Sequence, residues 1–226
     1  YIPTGSASFD FWGGNRLGKN LFANSVIALD ASTGKRIWHY QTVHHDIWDR
    51  DLPAPPNLIS VKHNNKMVDA VAQITKSGYV FLLNRDTGEP LFPVEERKVM
   101  KSDLIGEEAW ETQPFPLKPP PFSRQRFTEN EITNISEESY EYVKSILDTI
   151  RTGEQFIPPS IQGTMYFPGF DGGAEWGGAS FDIETGVLYV NANEMPWIQH
   201  MVPLDLNNNG SVKPKTVYDV GKRIYR

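Results

Sequence analysis

Apolar positions along the chain fall into short runs broken by small polar turns, and three of these runs repeat one design. Ser25-Val26-Ile27-Ala28-Leu29 leads into Asp30-Ala31-Ser32-Thr33-Gly34 and then Lys35-Arg36-Ile37-Trp38-His39-Tyr40. Tyr79 to Leu83 leads into Asn84-Arg85-Asp86-Thr87-Gly88 and then Glu89-Pro90-Leu91-Phe92. Ala179-Ser180-Phe181 leads into Asp182-Ile183-Glu184-Thr185-Gly186 and then Val187 to Asn191. Each turn opens with Asp or Asn, whose side chain can bond the backbone ahead, and closes with Gly, which adopts φ > 0 without strain. Three β-hairpins are therefore expected. Their glycines stand roughly one and two units of ~50 residues apart, the repeat length of four-stranded propeller blades. The expected fold is all-β, a partial β-propeller of about four blades; three unrelated hairpins in a β-sandwich is the plainer alternative.

Two stretches depart from the repeat. Glu111 to Phe122 holds five prolines, too many for a central strand, and reads as an extended surface segment. A short helix follows, with Ser136 or Thr133 as N-cap, Glu137 and Glu138 in its first turn, and Tyr140, Val143, Leu147 and Ile150 as an inward stripe ending before Gly153. Together they make an insertion at about 107–156 in a propeller segment covering 1–203. From 204 to 226 the chain has linker composition. Asp205 to Gly210 resembles the start of a calcium loop, but Thr216 occupies the position of the bidentate acid, so a solvated turn is expected.

Composition narrows the function classes. Lys and Arg total 22 against 28 Asp and Glu, a net charge of −6, which disfavours nucleic-acid binding. Zero Cys removes disulfides, thiolate metal sites and cysteine nucleophiles together. The chain is expected to be a piece of something longer, since about four blades leave a ring open and edges unpaired.

Chemistry concentrates in Val43-His44-His45-Asp46-Ile47-Trp48-Asp49-Arg50-Asp51-Leu52-Pro53, where three carboxylates and two imidazoles follow a strand. A solvated charged loop and a metal-hydrolase site on His44, His45, Asp46 and Asp49 are both open readings. Adjacent histidines on an extended backbone would point to opposite faces, which disfavours joint chelation. Lys76, before the Gly78 turn, could face an anionic ligand or a carbonyl oxygen. The Gly169 to Gly178 run has no helix behind it, so it is not a phosphate loop.

These elements resemble pyrroloquinoline-quinone (PQQ)-dependent dehydrogenases, most closely the membrane-type glucose dehydrogenase branch. The resemblance rests on Val43 to Pro53, Lys76-Ser77-Gly78, Trp176-Gly177-Gly178, the opening Tyr1-Ile2-Pro3-Thr4-Gly5 and Trp12-Gly13-Gly14-Asn15. It implies consecutive blades of an eight-bladed quinoprotein propeller. Docking tryptophans of that family are kept in part: Trp38 follows Thr33-Gly34, Phe92 follows Thr87-Gly88, and no Trp follows Gly186. The resemblance further implies that Asp49 is the general base for a sugar or alcohol hydroxyl and that Lys76 binds the quinone oxygens. It makes Trp176, Asn191 and Asn193 quinone neighbours, and Asp49, Asp51 and Ser6 ligands of calcium or a lanthanide, with Ser6 replacing an oxygen ligand that Ala7 lacks. Electrons would leave to ubiquinone or a cytochrome, in the periplasm. Tyr218 to Arg226 resembles the first helix of a following cytochrome c domain. Because the family's glutamate ligand and the tryptophan floor of the quinone lie upstream of the matching segment, this chain alone is expected to be inactive and to need the missing blades. A non-catalytic propeller scaffold is the competing reading, and the metal hydrolase a weaker one.

Overall fold

The computed structural model describes residues 1–14, 16–204 and 217–220. Strands β1 (Ile2–Pro3), β2 (Ser25–Leu29) and β3 (Arg36–Gln41) form one antiparallel sheet, and β4 (Asn57–His63), β5 (Lys66–Ile74) and β6 (Val80–Asn84) a second. Two-stranded antiparallel sheets follow. Strand β7 (Val94–Lys98) pairs with β8 (Thr112–Pro116), and β9 (Thr164–Tyr166) pairs with β12 (Trp197–Gln199). Strand β10 (Ala179–Asp182) pairs with β11 (Val187–Val190), and β13 (Met201–Leu204) with β14 (Val217–Val220).

Successive sheets meet face to face, and the second sheet shows how. Its odd residues Val71, Tyr79, Phe81 and Leu83 join Val26, Ala28, Trp38 and Val43 in one core. Its even residues Ala70, Ala72, Ile74 and Val80 join a different core, packed against Ala179, Phe181, Leu188 and Val190 of the β10–β11 hairpin. Side chains alternate across a strand, so a sheet apolar on both parities must be sandwiched between two neighbours. Blades of a propeller pack this way. Asn57 Nδ2 adds a polar tie, donating to Ala179 O at 2.9 Å.

All three expected hairpins form, by one mechanism. Asp30 Oδ1 accepts the amides of Ser32 and Thr33 at 3.0 and 2.8 Å, and Asn84 Oδ1 those of Asp86 and Thr87 at 2.9 and 3.0 Å. Asp182 Oδ1 accepts Glu184 N at 2.9 Å. Gly88 closes its turn at φ +75°. A side chain there would fail twice, because a Cβ would also stand 2.6 Å from the Trp38 ring. Trp38 reaches from the first sheet onto the turn of the second, where its Nε1 donates to Arg85 O at 3.0 Å. This indole locks two blades. We expect Trp38→Ala to cost ~3–5 kcal/mol, read by urea denaturation of the parent propeller; an unchanged midpoint would rule out the lock.

The Pro-rich stretch corrects the sequence expectation. Thr112–Pro116 is not an extended surface segment but strand β8, buried from Gln113 to Pro116. Prolines are tolerated because the ladder uses the other parity: Glu111 O accepts from Val99 N, and Leu117 N donates to Pro93 O. Pro114 and Pro116 thus turn their missing N–H groups away from β7. Helix α1 (Glu137–Leu147) is capped by Ser136, whose side chain accepts from Ser139 N. Its C-cap is Asp148, not a residue near Gly153. Tyr140, Val143 and Leu147 pack on Phe127, Ile132, Ile150, Met165 and Phe167, so the stripe is core. Tyr218, Asp219 and Val220 lie in strand β14, not in a helix; the rest of that tail and the calcium-loop-like segment lie outside the described residues.

Candidate active site

The loop after β3 is folded from inside by one carboxylate. Asp46 Oδ1 accepts Trp48 N at 2.8 Å, and its Oδ2 accepts Arg50 N and Asn24 Nδ2, each at 2.7 Å. Ser6 Oγ donates to the same oxygen. Ile47 and Trp48 are driven into the core, where Trp48 Nε1 donates to Ile157 O at 2.8 Å. With both flanks held, Asp49 sits at φ +56°, a left-handed conformation that Asp tolerates better than most residues. It turns its carboxylate away from the core, toward the end of β5.

Lys76 meets it there. The turn after β5 is closed by Gly78, whose amide donates to Thr75 O at 3.0 Å. Lys76 is 7% exposed, and its Nζ lies 2.5 Å from Asp51 Oδ1, 3.3 Å from Asp49 Oδ2 and 3.6 Å from Glu175 Oε1. Burial pushes the Asp49 carboxyl up to about 7; the Lys76 ammonium opposes that rise, while Asp46, Asp51 and Asp10 add to it. For Lys76 burial works against the charge, but Asp49, Asp51 and Glu175 outweigh it and hold the ammonium above its ordinary range. The stem of Lys76 is walled by Gly172 at φ +87°, where a Cβ would come within 2.4 Å of Lys76 Cγ. That approach needs glycine.

The structure gathers some of the expected residues and separates others. Asp49, Asp51 and Lys76 converge. Trp176, 80% exposed, follows directly on Glu175 at the rim. Asn193 donates its amide to Gly173 O at 2.8 Å, which sets it beside the same glycine loop, while Asn191 is exposed at the end of β11. Ser6 is committed to Asp46 and Asn24 and does not join Asp49 and Asp51. His44 and His45 diverge, as adjacent residues should. His44 uses its nitrogens on Gln41 and Glu96 at 2.6 and 2.9 Å, and His45 on Gly18 O and Glu107 at 2.8 and 2.7 Å. With both imidazoles fully engaged on different acids, the hydrolase reading loses its ligand set.

Three participants went unnoticed in the sequence. Glu175 was masked by its neighbour Trp176. Asp10, whose carboxyl is raised by burial and by Asp46 and Asp51, comes from a distant loop. Arg50 reads as a surface charge yet is 3% exposed. The triplet Asp49-Arg50-Asp51 held a partial signal, a cation set between two acids that both reach Lys76. The enclosure of Arg50 follows from the left-handed turn at Asp49, which alternation does not reveal.

The donor set suits a metal and an acidic quinone in part. Asp49 and Asp51 offer hard oxygen ligands beside a fixed ammonium, whereas calcium takes about six to eight oxygens, so further ligands must come from outside this cluster. Among the described residues no group of three or more His, Asp or Glu side chains is arranged to hold a metal.

Comparison with known proteins bears on the family and the fold. The family model for the PQQ glucose/ethanol/alcohol dehydrogenase β-propeller domain matches residues 1–223. Quinoprotein glucose dehydrogenase A of Acinetobacter calcoaceticus is 34% identical over 223 residues, covering 94% of this chain and 27% of the relative. The quinate/shikimate dehydrogenase (quinone) of Acinetobacter baylyi is 34% identical over 223 residues, covering 96% and 28%. Among solved structures, the quinohemoprotein alcohol dehydrogenase from Comamonas testosteroni superposes with a TM-score of 0.55 at 22% identity, over 88% of this chain and 24% of that one. The chain thus spans about a quarter of the length of these relatives, and it shares their fold as a partial β-propeller. Matched along nearly its whole length, the protein belongs to the PQQ-dependent glucose/ethanol/alcohol dehydrogenase β-propeller family.

Proposed function

We propose that this chain supplies the base-and-cation side of a PQQ-dependent dehydrogenase that oxidises the CH–OH group of a sugar or alcohol. One observation carries the reading: a Lys76 ammonium 3.3 Å from an Asp49 carboxylate in a largely buried niche. When bound, the quinone would take the hydride from the carbinol carbon, with a metal polarising its carbonyl. Asp49 takes the hydroxyl proton as the carbonyl forms, a role that suits a carboxyl raised to about 7. Lys76 places fixed positive charge where negative charge grows, on a side chain that is itself buried. Asp49 and Asp51 would hold calcium or a lanthanide; Ser6, tied to Asp46, would have to be released to join them. Trp176, Asn191 and Asn193 would border the quinone from the rim.

The remaining parts of the proposal concern the parent protein. Blades beyond this chain complete the site, so the segment 1–203 alone would be inactive, with 204–226 leading toward a cytochrome c domain. Electrons would pass to ubiquinone or a cytochrome in the periplasm. Among the described residues no helix is long and apolar enough to cross a membrane. Absorbance titration of the parent with PQQ and calcium tests the reading: a saturable one-to-one spectral change is expected, and absence of binding would favour a non-catalytic scaffold.

A further inference from the structure

Arg50 is an unusual residue to bury. A guanidinium removed from water is costly unless its donors are met, and an apolar side chain of similar length would fill the volume at lower cost. It forms no salt bridge among the described residues. Its donors go to main-chain carbonyls: Nη2 to Pro168 O at 2.5 Å, and Nη1 to Gly169 O at 2.6 Å and to Lys76 O at 3.4 Å. Its own amide is held by Asp46 Oδ2 at 2.7 Å. The Lys76 carbonyl also accepts Gly173 N at 2.6 Å. Three segments meet at this one side chain: the Asp49–Asp51 loop, the Lys76 turn and the glycine loop that carries Gly172, Glu175 and Trp176.

We propose that Arg50 is a positioning residue for this site, pinning the Pro168 and Gly169 carbonyls and the Lys76 main chain to the Asp49 loop and so setting the gap between base and cation. A planar fork is needed because two adjacent carbonyls must be met at once; a lysine ammonium is a point charge and cannot span them in the same way. Removing the fork takes the charged donor from Pro168 O and one of two donors from Gly169 O and Lys76 O, which keep the amides of Gly172 and Gly173. The loop, still anchored by Phe170 in the core, is then tied to Lys76 by a single amide and opens from it more readily.

The consequence for the quinone rests on the function proposed above, whereas the consequence for the loop does not, so the test reads both. Hydrogen–deuterium exchange on the parent protein without cofactor should show the amides of 169–173 exchanging about tenfold faster or more in Arg50→Gln, with an intermediate effect in Arg50→Lys. Strand amides of 70–74 should keep their protection. In the same variants PQQ affinity should weaken by about tenfold for Gln and less for Lys. Unchanged exchange at 169–173 would overturn the proposal, as would equal loss of protection at 70–74 in both variants, which would make Arg50 a determinant of the whole fold. If the wild-type parent binds no PQQ, the proposed function falls and the exchange data alone decide the role of Arg50.

Discussion

Asp49→Asn in the parent protein will lower turnover by about 10²–10⁴-fold, the usual contribution of a positioned general base, while leaving PQQ affinity nearly intact. The substitution preserves shape and one acceptor oxygen but cannot receive a proton at working pH. The backbone that presents it is secured independently, through Asp46 and the amides of Trp48 and Arg50. Loss is therefore expected in the chemical step. Steady-state rates with a sugar or alcohol, set beside a PQQ titration, check it. If affinity falls as steeply as turnover, Asp49 is a binding residue and the base lies elsewhere.

Lys76→Ala should behave differently, lowering turnover by about 10²–10³-fold and weakening PQQ as well. Its ammonium lies within 3.6 Å of three carboxylates, those of Asp49, Asp51 and Glu175. Without it the niche becomes a cluster of like charges that repels an acidic quinone and draws protons onto the would-be base. Lys76→Arg is a poor substitute, because a wider head must pass the wall formed by Gly172. A variant lacking Lys76 that keeps wild-type PQQ affinity would place the quinone away from this side chain.

Much of the scaffold was legible because its signals are local. Asp30, Asn84 and Asp182 each cap a turn two or three residues ahead, and a reader of ten residues can see it. The helix cap at Ser136 is local in the same sense. The proline-rich strand was misread because residue count hides parity: Pro114 and Pro116 are harmless only in the register that β7 imposes. Asp49 and Lys76 stood out through a family pattern, but spacing in a chain carries no distance, and the approach to 3.3 Å depends on how two blades stack.

Turn chemistry, the alternation that demands sheets covered on both faces, and the residue types able to accept a proton or carry fixed charge were all written in the order of amino acids. Such properties depend on neighbours within a few positions. Packing alone settled that Ser6 belongs to Asp46, that His44 and His45 serve separate acids, and that Arg50 is enclosed. These outcomes depend on contacts between residues far apart in the chain; the bond from Arg50 to Gly169 crosses 119 positions. A buried donor must find an acceptor wherever the folded backbone offers one, and which carbonyl that is becomes fixed only when the blades have closed on each other.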